Sequence, residues 1–199
     1  MRKMIVWSLM AGITLDAGGL SAAEHERHFM VLAAAPLTEA PTEVDPCTRF
    51  SWDISRERTV MNQTPRAVAA AVKPGADIPQ IEAEKPYEVK LADQSTVTFV
   101  AKPGKPIVAD GAHAGLVRFR IEKAGRYRVS ISSRHWIDIV DGTQLVSSRD
   151  FQGQKGCERP HKIVEYDLPA ARDLTLQFSG STDAQVIVAI TAVSTAAAG

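Results

Sequence analysis

Residues 115–131 read GLVRFRIEKAGRYRVSI, and the parity of this stretch decides the fold. Val117, Phe119 and Ile121 alternate with Arg118 and Arg120. After Glu122-Lys123-Ala124-Gly125, Tyr127, Val129 and Ile131 alternate with Arg126, Arg128 and Ser130. Successive side chains of a strand point to opposite faces, so each run offers one apolar and one polar face. The same period of two continues outward. Val97 and Phe99 alternate with Thr96 and Thr98, Leu174, Leu176 and Phe178 with Thr175 and Gln177, and Val186, Val188 and Ile190 follow the rule. Gly153 to Gly156 and Ser179-Gly180-Ser181 separate the runs, and Asp141-Gly142 is a two-residue hairpin signal. Eight or nine short strands with no helices between them predict a mainly β protein, an antiparallel β-sandwich or jelly roll. Parallel α/β cores are excluded, because their strands read as continuous apolar runs.

Upstream of the strands the sequence changes character. Arg2 and Lys3, the apolar Met4 to Leu15 and the small Ser21-Ala22-Ala23 form a secretory signal over residues 1–23, with Asp16 as a blemish. Residues 24–46, rich in Ala, Pro, Thr and Glu, read as a flexible leader. Residues 47–84 read as a short helical segment. Ser51 is its candidate N-cap, Phe50, Ile54 and Met61 share a face, and Arg56, Glu57 and Arg58 face solvent. A second helix is expected from Thr64-Pro65-Arg66 through Val68 to Val72, stopped by Lys73-Pro74-Gly75. The sandwich domain then occupies residues 85–194.

Charge narrows the function classes. The chain of 199 residues carries 23 basic and 23 acidic side chains, a balance that excludes the basic excess of a nucleic-acid binder. Removing residues 1–23 takes away Arg2, Lys3 and Asp16 and shifts the balance by one charge only. No apolar run is long enough for a membrane helix after the signal is removed. Export predicts a periplasmic or secreted protein and an oxidising compartment. Its two cysteines, Cys47 and Cys157, are then expected to form a disulfide; the alternative is two unrelated buried thiols. Neither has the near Cys or His neighbour of a zinc site.

The segments Gly115 to Phe119, Ala124 to Ser130, His135 to Val140, Gly156-Cys157, His161 to Leu168 and Leu174 to Gln177 resemble a group of small exported proteins of Gram-negative bacteria. Most of that group has no established function, and some carry the label homogentisate 1,2-dioxygenase. The pattern Ala124-Gly125-Arg126-Tyr127-Arg128-Val129, followed by a strand and the Asp141-Gly142 hairpin, is also similar to the pre-peptidase C-terminal sandwich domain of secreted enzymes. The dioxygenase label implies Fe held by two histidines and a carboxylate, for which His135, His161 and Glu165 are the candidate ligands. The H-x-H pair of a cupin strand is absent from the sequence.

Other chemistry is sparse. There is no G-x-S-x-G elbow, P-loop, H-E-x-x-H or C-x-x-C. His25, His28 and His113 read as solvated residues. Trp136 and Asp138, two apart on a strand, share a face on which a ring could stack on a sugar while the carboxylate accepts its hydroxyls; alternatively Trp136 packs under a loop while Ile137 and Ile139 enter the core. Arg118, Arg120, Arg126 and Arg128 would gather on one face if their strands pair as a hairpin through Glu122 to Gly125. That face would bind an anionic glycan, lipopolysaccharide or an acidic envelope protein through bidentate contacts, or be a plain solvated surface. The reading that results is an exported, non-catalytic binding or envelope-associated module with no cofactor. A mononuclear metal-dependent enzyme is the alternative.

Overall fold

A computed structural model describes residues 44–105 and 110–193. The expected signal, residues 1–23, and all but the last residues of the leader lie outside the described residues.

The described chain forms a short 3-10 helix (Pro46–Arg49), helix α1 (Ser55–Met61) and twelve strands: β1 (Arg66–Ala69), β2 (Gln80–Glu82), β3 (Tyr87–Lys90), β4 (Ala92–Asp93), β5 (His113–Arg120), β6 (Gly125–Ile131), β7 (Trp136–Asp141), β8 (Gln144–Val146), β9 (Ser148–Gly153), β10 (Lys162–Leu168), β11 (Asp173–Ser181) and β12 (Gln185–Ala192). One sheet has the order β1-β3-β12-β6-β10-β9, the other β2-β5-β11-β7-β8, with β4 paired to β5. Most ladders are antiparallel, as expected. The β1–β3 and β2–β5 pairs are parallel, so both sheets are mixed.

One apolar cluster joins the two sheets in a sandwich-like arrangement. Phe119, Ile139, Leu174, Leu176 and Phe178 from one sheet meet Val89, Val129, Ile131, Val188 and Ile190 from the other. Each of these side chains is fully buried, the large apolar payload from which such a fold draws most of its stability. The Asp141-Gly142 signal is realised: Asp141 pairs with Gln144, and Gly142 takes the positive φ of 62° that the tight turn needs.

Several local expectations are corrected. Residues 66–69 are a strand rather than part of a second helix. Pro65 and the run of alanines favour a helix, but one so short is marginal. The ladder to β3 and the Ala71–Leu116 bridge supply the hydrogen bonds instead. The 47–84 segment is therefore helical only near its start, and β1 and β2 belong to the sheets. Val97 and Phe99 do not lie in a strand. They follow a 3-10 turn at Gln94–Thr96 and are tied down by the Thr98 amide, which donates to Val72 O.

Ser51 is not the N-cap: helix α1 starts at Ser55 with Ile54 at its N-cap, and the Ser51 amide donates to Gln152 Oε1. The Ser55 amide is met by Asp53 Oδ1 instead. Glu57 does not face solvent; it is 2% exposed. Helix α1 lies on the outer face of the first sheet, where Val60 and Met61 pack against Ile187 and Ala189 of β12. Just ahead of it, Phe50 and Ile54 pack with Ile163 around Cys157. Cys47 and Cys157 form the expected disulfide, with Cα atoms 4.9 Å apart and 110 residues between them.

The hairpin expected through Glu122 to Gly125 is not formed. β5 is paired on both sides, by β2 and β11, and so is β6, by β10 and β12. The segment between them carries the chain from one sheet to the other, with Ile121 buried at the crossing.

Candidate functional site

The chain crosses between the sheets again at Ser147, which joins β8, an edge of one sheet, to β9, an edge of the other. Val146 is in register with Ile139, and Phe151 with Val164. Cross-strand partners share a face, so both side chains stand on the core side. Between these edges is a cleft of about 240 Å³, with Ile137, Val146, Val164 and Tyr166 among its walls. Phe151 at the rim is 67% exposed and Leu145 40%. The Tyr166 hydroxyl donates to Ile137 O at 3.4 Å, which ties the two sheets together beside the cleft.

Lys162 also lines this cleft. It opens β10 and has the parity of Val164, Tyr166 and Leu168, all core residues, so the strand directs it between the sheets. Its ammonium donates to His135 O, in the loop that leads into β7 of the opposite sheet. An ammonium has three donors, so two remain. Among the described residues no carboxylate forms an ion pair with it. Burial lowers its pKa to about 8, with Asp138 opposing that shift and Lys105 adding to it.

Trp136 and Asp138 are brought together, as their spacing predicted. The indole Nε1 donates to Asp138 Oδ1 at 2.9 Å, and the Gly104 amide donates to Oδ2 at 3.1 Å. The carboxylate is buried, and both of its oxygens are engaged within the protein. Trp136 thus packs beneath the loop at Gly104 while Ile137 and Ile139 enter the core. A Cβ at Gly104 would stand 2.9 Å from Asp138 Oδ1, so the close approach of this loop depends on glycine. Lys105 Nζ and Lys162 Nζ lie 5.8 and 5.9 Å from the indole centroid, within cation–π range. The aromatic ring and the two lysines form the polar end of the cleft region.

The four arginines are dispersed, with Arg118 and Arg120 in one sheet and Arg126 and Arg128 in the other. Arg118 donates to Gly75 O, and Arg120 pairs with Asp173 at 3.1 Å. Arg126 lies 3.4 Å from Glu165 and 3.7 Å from Asp167. Arg128 is nearly buried under α1, between Glu57 at 3.3 Å and Glu165 at 3.2 Å, with its guanidinium 4.5 Å from the centre of the Trp52 ring. No common arginine face exists. Neighbouring carboxylates neutralise three of the four, and Arg128 joins the helix to the sheet.

The ligand set proposed for iron does not assemble. Among the described residues no three His, Cys, Asp or Glu side chains converge as metal ligands. Glu165 is held by Arg126 and Arg128. His135 is fully buried, shares a 2.7 Å hydrogen bond with Ser133, and has its pKa lowered to about 4 by burial against the opposing pull of Asp183. His161 is also lowered, by partial burial and by Arg134 and Lys162.

Lys162 and Phe151 went unnoticed in the sequence. For Lys162 the signal was present, since it shares the parity of Val164, Tyr166 and Leu168. Among the described residues no helix is long and apolar enough to cross a membrane. No family model matches the chain. No curated protein matches it either.

Proposed function

We propose that this chain is an exported, non-catalytic binding module on a β-sandwich scaffold, and that its ligand enters the cleft between the β7–β8 and β9–β10 edges. The observation that carries this reading is Lys162, a cation without an ion-paired carboxylate in a largely apolar opening between two sheets, where the one acidic side chain, Asp138, is already bonded to Trp136 and Gly104. Burying an unpaired ammonium is costly for the free protein. An anionic group on a ligand would offset that cost, which makes the site selective for negative charge. The arginines offer no such opening, because carboxylates already meet Arg120, Arg126 and Arg128, while Arg118 is held by Gly75 O and does not line the cleft. The disulfide supports export to the periplasm or beyond, since such bonds persist in oxidising compartments. The mature chain then starts at Glu24, and its ligands are sought among anionic glycans, lipopolysaccharide and acidic lipids of the envelope.

Isothermal titration of the mature protein against these anions tests the reading, with mass spectrometry of the protein from its host fixing the N-terminus. Binding that weakens in Lys162→Gln supports it. No binding by any anion, or binding unaffected by that substitution, overturns it.

A further inference from the structure

We infer that the ligand of the cleft is an amphipathic monoanion, a free acyl carboxylate whose head meets Lys162 and whose tail lies along Val146, Phe151 and Val164. This rests on the binding reading above and names the ligand class it left open.

Three features of the cleft select this chemistry over a glycan. A sugar needs several hydrogen-bonding partners, because each hydroxyl buried without one is destabilising. The cleft provides few. The Asp138 oxygens are taken by Trp136 and Gly104, and the Tyr166 hydroxyl is given to Ile137 O. Apart from Ser147 and Ser148 at the crossing between the sheets, the rest of the wall is mainly aliphatic and aromatic side chains from both sheets. Their extension past the core edge to an exposed Phe151 leaves apolar surface that a tail would cover.

The charge points the same way. Lys162 lines the cleft, and Lys105 approaches the other end of the arrangement through the Trp136 ring. The one acidic side chain nearby, Asp138, is buried and already bonded. A single carboxylate head therefore meets net positive charge, while a neutral alcohol with the same tail would leave the two spare donors of Lys162 unmet. A polyanion would place its further charges against apolar walls.

Titration of the mature protein with decanoate, decanol, acetate and glucuronate separates these contributions. Decanoate should bind, with decanol and acetate each at least tenfold weaker and glucuronate weaker still. Lys162→Gln should bring decanoate down to the level of decanol and leave decanol unchanged. Phe151→Ser, at an exposed position that folding does not need, should weaken decanoate and decanol alike; the melting temperature of each variant shows whether it is folded. Tight binding of glucuronate without decanoate would overturn the acyl assignment and leave the binding module standing. Equal binding of decanol and decanoate would overturn the role of the charge. Failure of all four ligands would overturn the acyl assignment, and the reading beneath it falls only if the lipopolysaccharide and acidic lipids of the earlier titration fail as well.

Discussion

Arg128 of β6 and Glu57 of α1, 71 residues apart in the chain, meet at 3.3 Å beneath the helix. Glu165 approaches the same guanidinium from β10, Thr191 Oγ1 donates to Glu57 at 3.1 Å, and the Trp52 ring closes the outer side. This layer fixes the only α-helix among the described residues to a sheet, using charges that the sequence pattern assigned to solvent.

Arg128→Met should destabilise the protein by about 3–5 kcal/mol, because it leaves two buried carboxylates without their shared cation. Glu57→Gln keeps an acceptor for Thr191 and for Arg128 and should cost much less. Urea unfolding of both variants measures the difference. A loss for Arg128→Met no greater than that for Glu57→Gln would show that the layer is not held by this cation.

Removing the disulfide should lower stability by about 4–5 kcal/mol in the chain-entropy account, given the 110-residue separation. Cys47→Ala with Cys157→Ala, compared with the oxidised protein by denaturant unfolding, gives the number. Thiol labelling of the unreduced, unfolded wild type should find no free cysteine. Two labelled thiols would refute the bridge.

His135 makes stability sensitive to acid. Its folded pKa of about 4 lies below the ordinary 6.5, so the unfolded chain binds the proton more readily. Stability from this residue is present above pH 6.5 and is lost as pH falls toward 4, to an extent of roughly 3 kcal/mol. Unfolding midpoints measured over that window should drop more steeply for the wild type than for His135→Asn. An imidazole that titrates near 6.5 by NMR would contradict the buried, neutral ring.

The opposite sign applies to ligand capture at Lys162. With a folded pKa of about 8, the ammonium is charged at neutral pH and loses its proton as pH rises through 8. Decanoate affinity should fall over the same range, toward that of Lys162→Gln. Asp138, Lys105, His135 and His161 are the titratable groups around it, and burial lowers both histidines from their ordinary value, so neither changes charge in this range. Affinity independent of pH between 7 and 10 would show that the head does not meet this lysine.

Much of the sheet structure was legible because it is local. The parity of Val117 and Phe119, of Val129 and Ile131, and of Leu174, Leu176 and Phe178 marks core faces that any pairing must bury. Pairing itself is not local. Glu122 to Gly125 suits a hairpin as well as a crossing between sheets, and the choice is made by β2, β10, β11 and β12, which occupy the available edges. The arginine face depended on that choice and fell with it. β1 was misread for a related reason: its alanines favour a helix, and only a distant strand supplies the ladder.

Two site features could have been found in the sequence. Glu57 stands three residues from both Ile54 and Val60 and four from Met61, the spacing of a single helical face, so it shares the buried side. Lys162 shares the parity of three core residues of β10. In both cases a charged residue at an apolar position signals a specific partner or an open site. Which of these holds is decided by residues far away in the chain.

The central claim, that the open edge of the two sheets is a ligand site, is tested most directly by mapping amide shifts in a 1H–15N correlation spectrum of the protein as decanoate is added. The account predicts saturable shifts centred on Trp136, Val146, Phe151, Lys162 and Val164, which in Lys162→Gln saturate only at decanoate concentrations at least tenfold higher. Shifts centred elsewhere on the protein, or none at all, would contradict it.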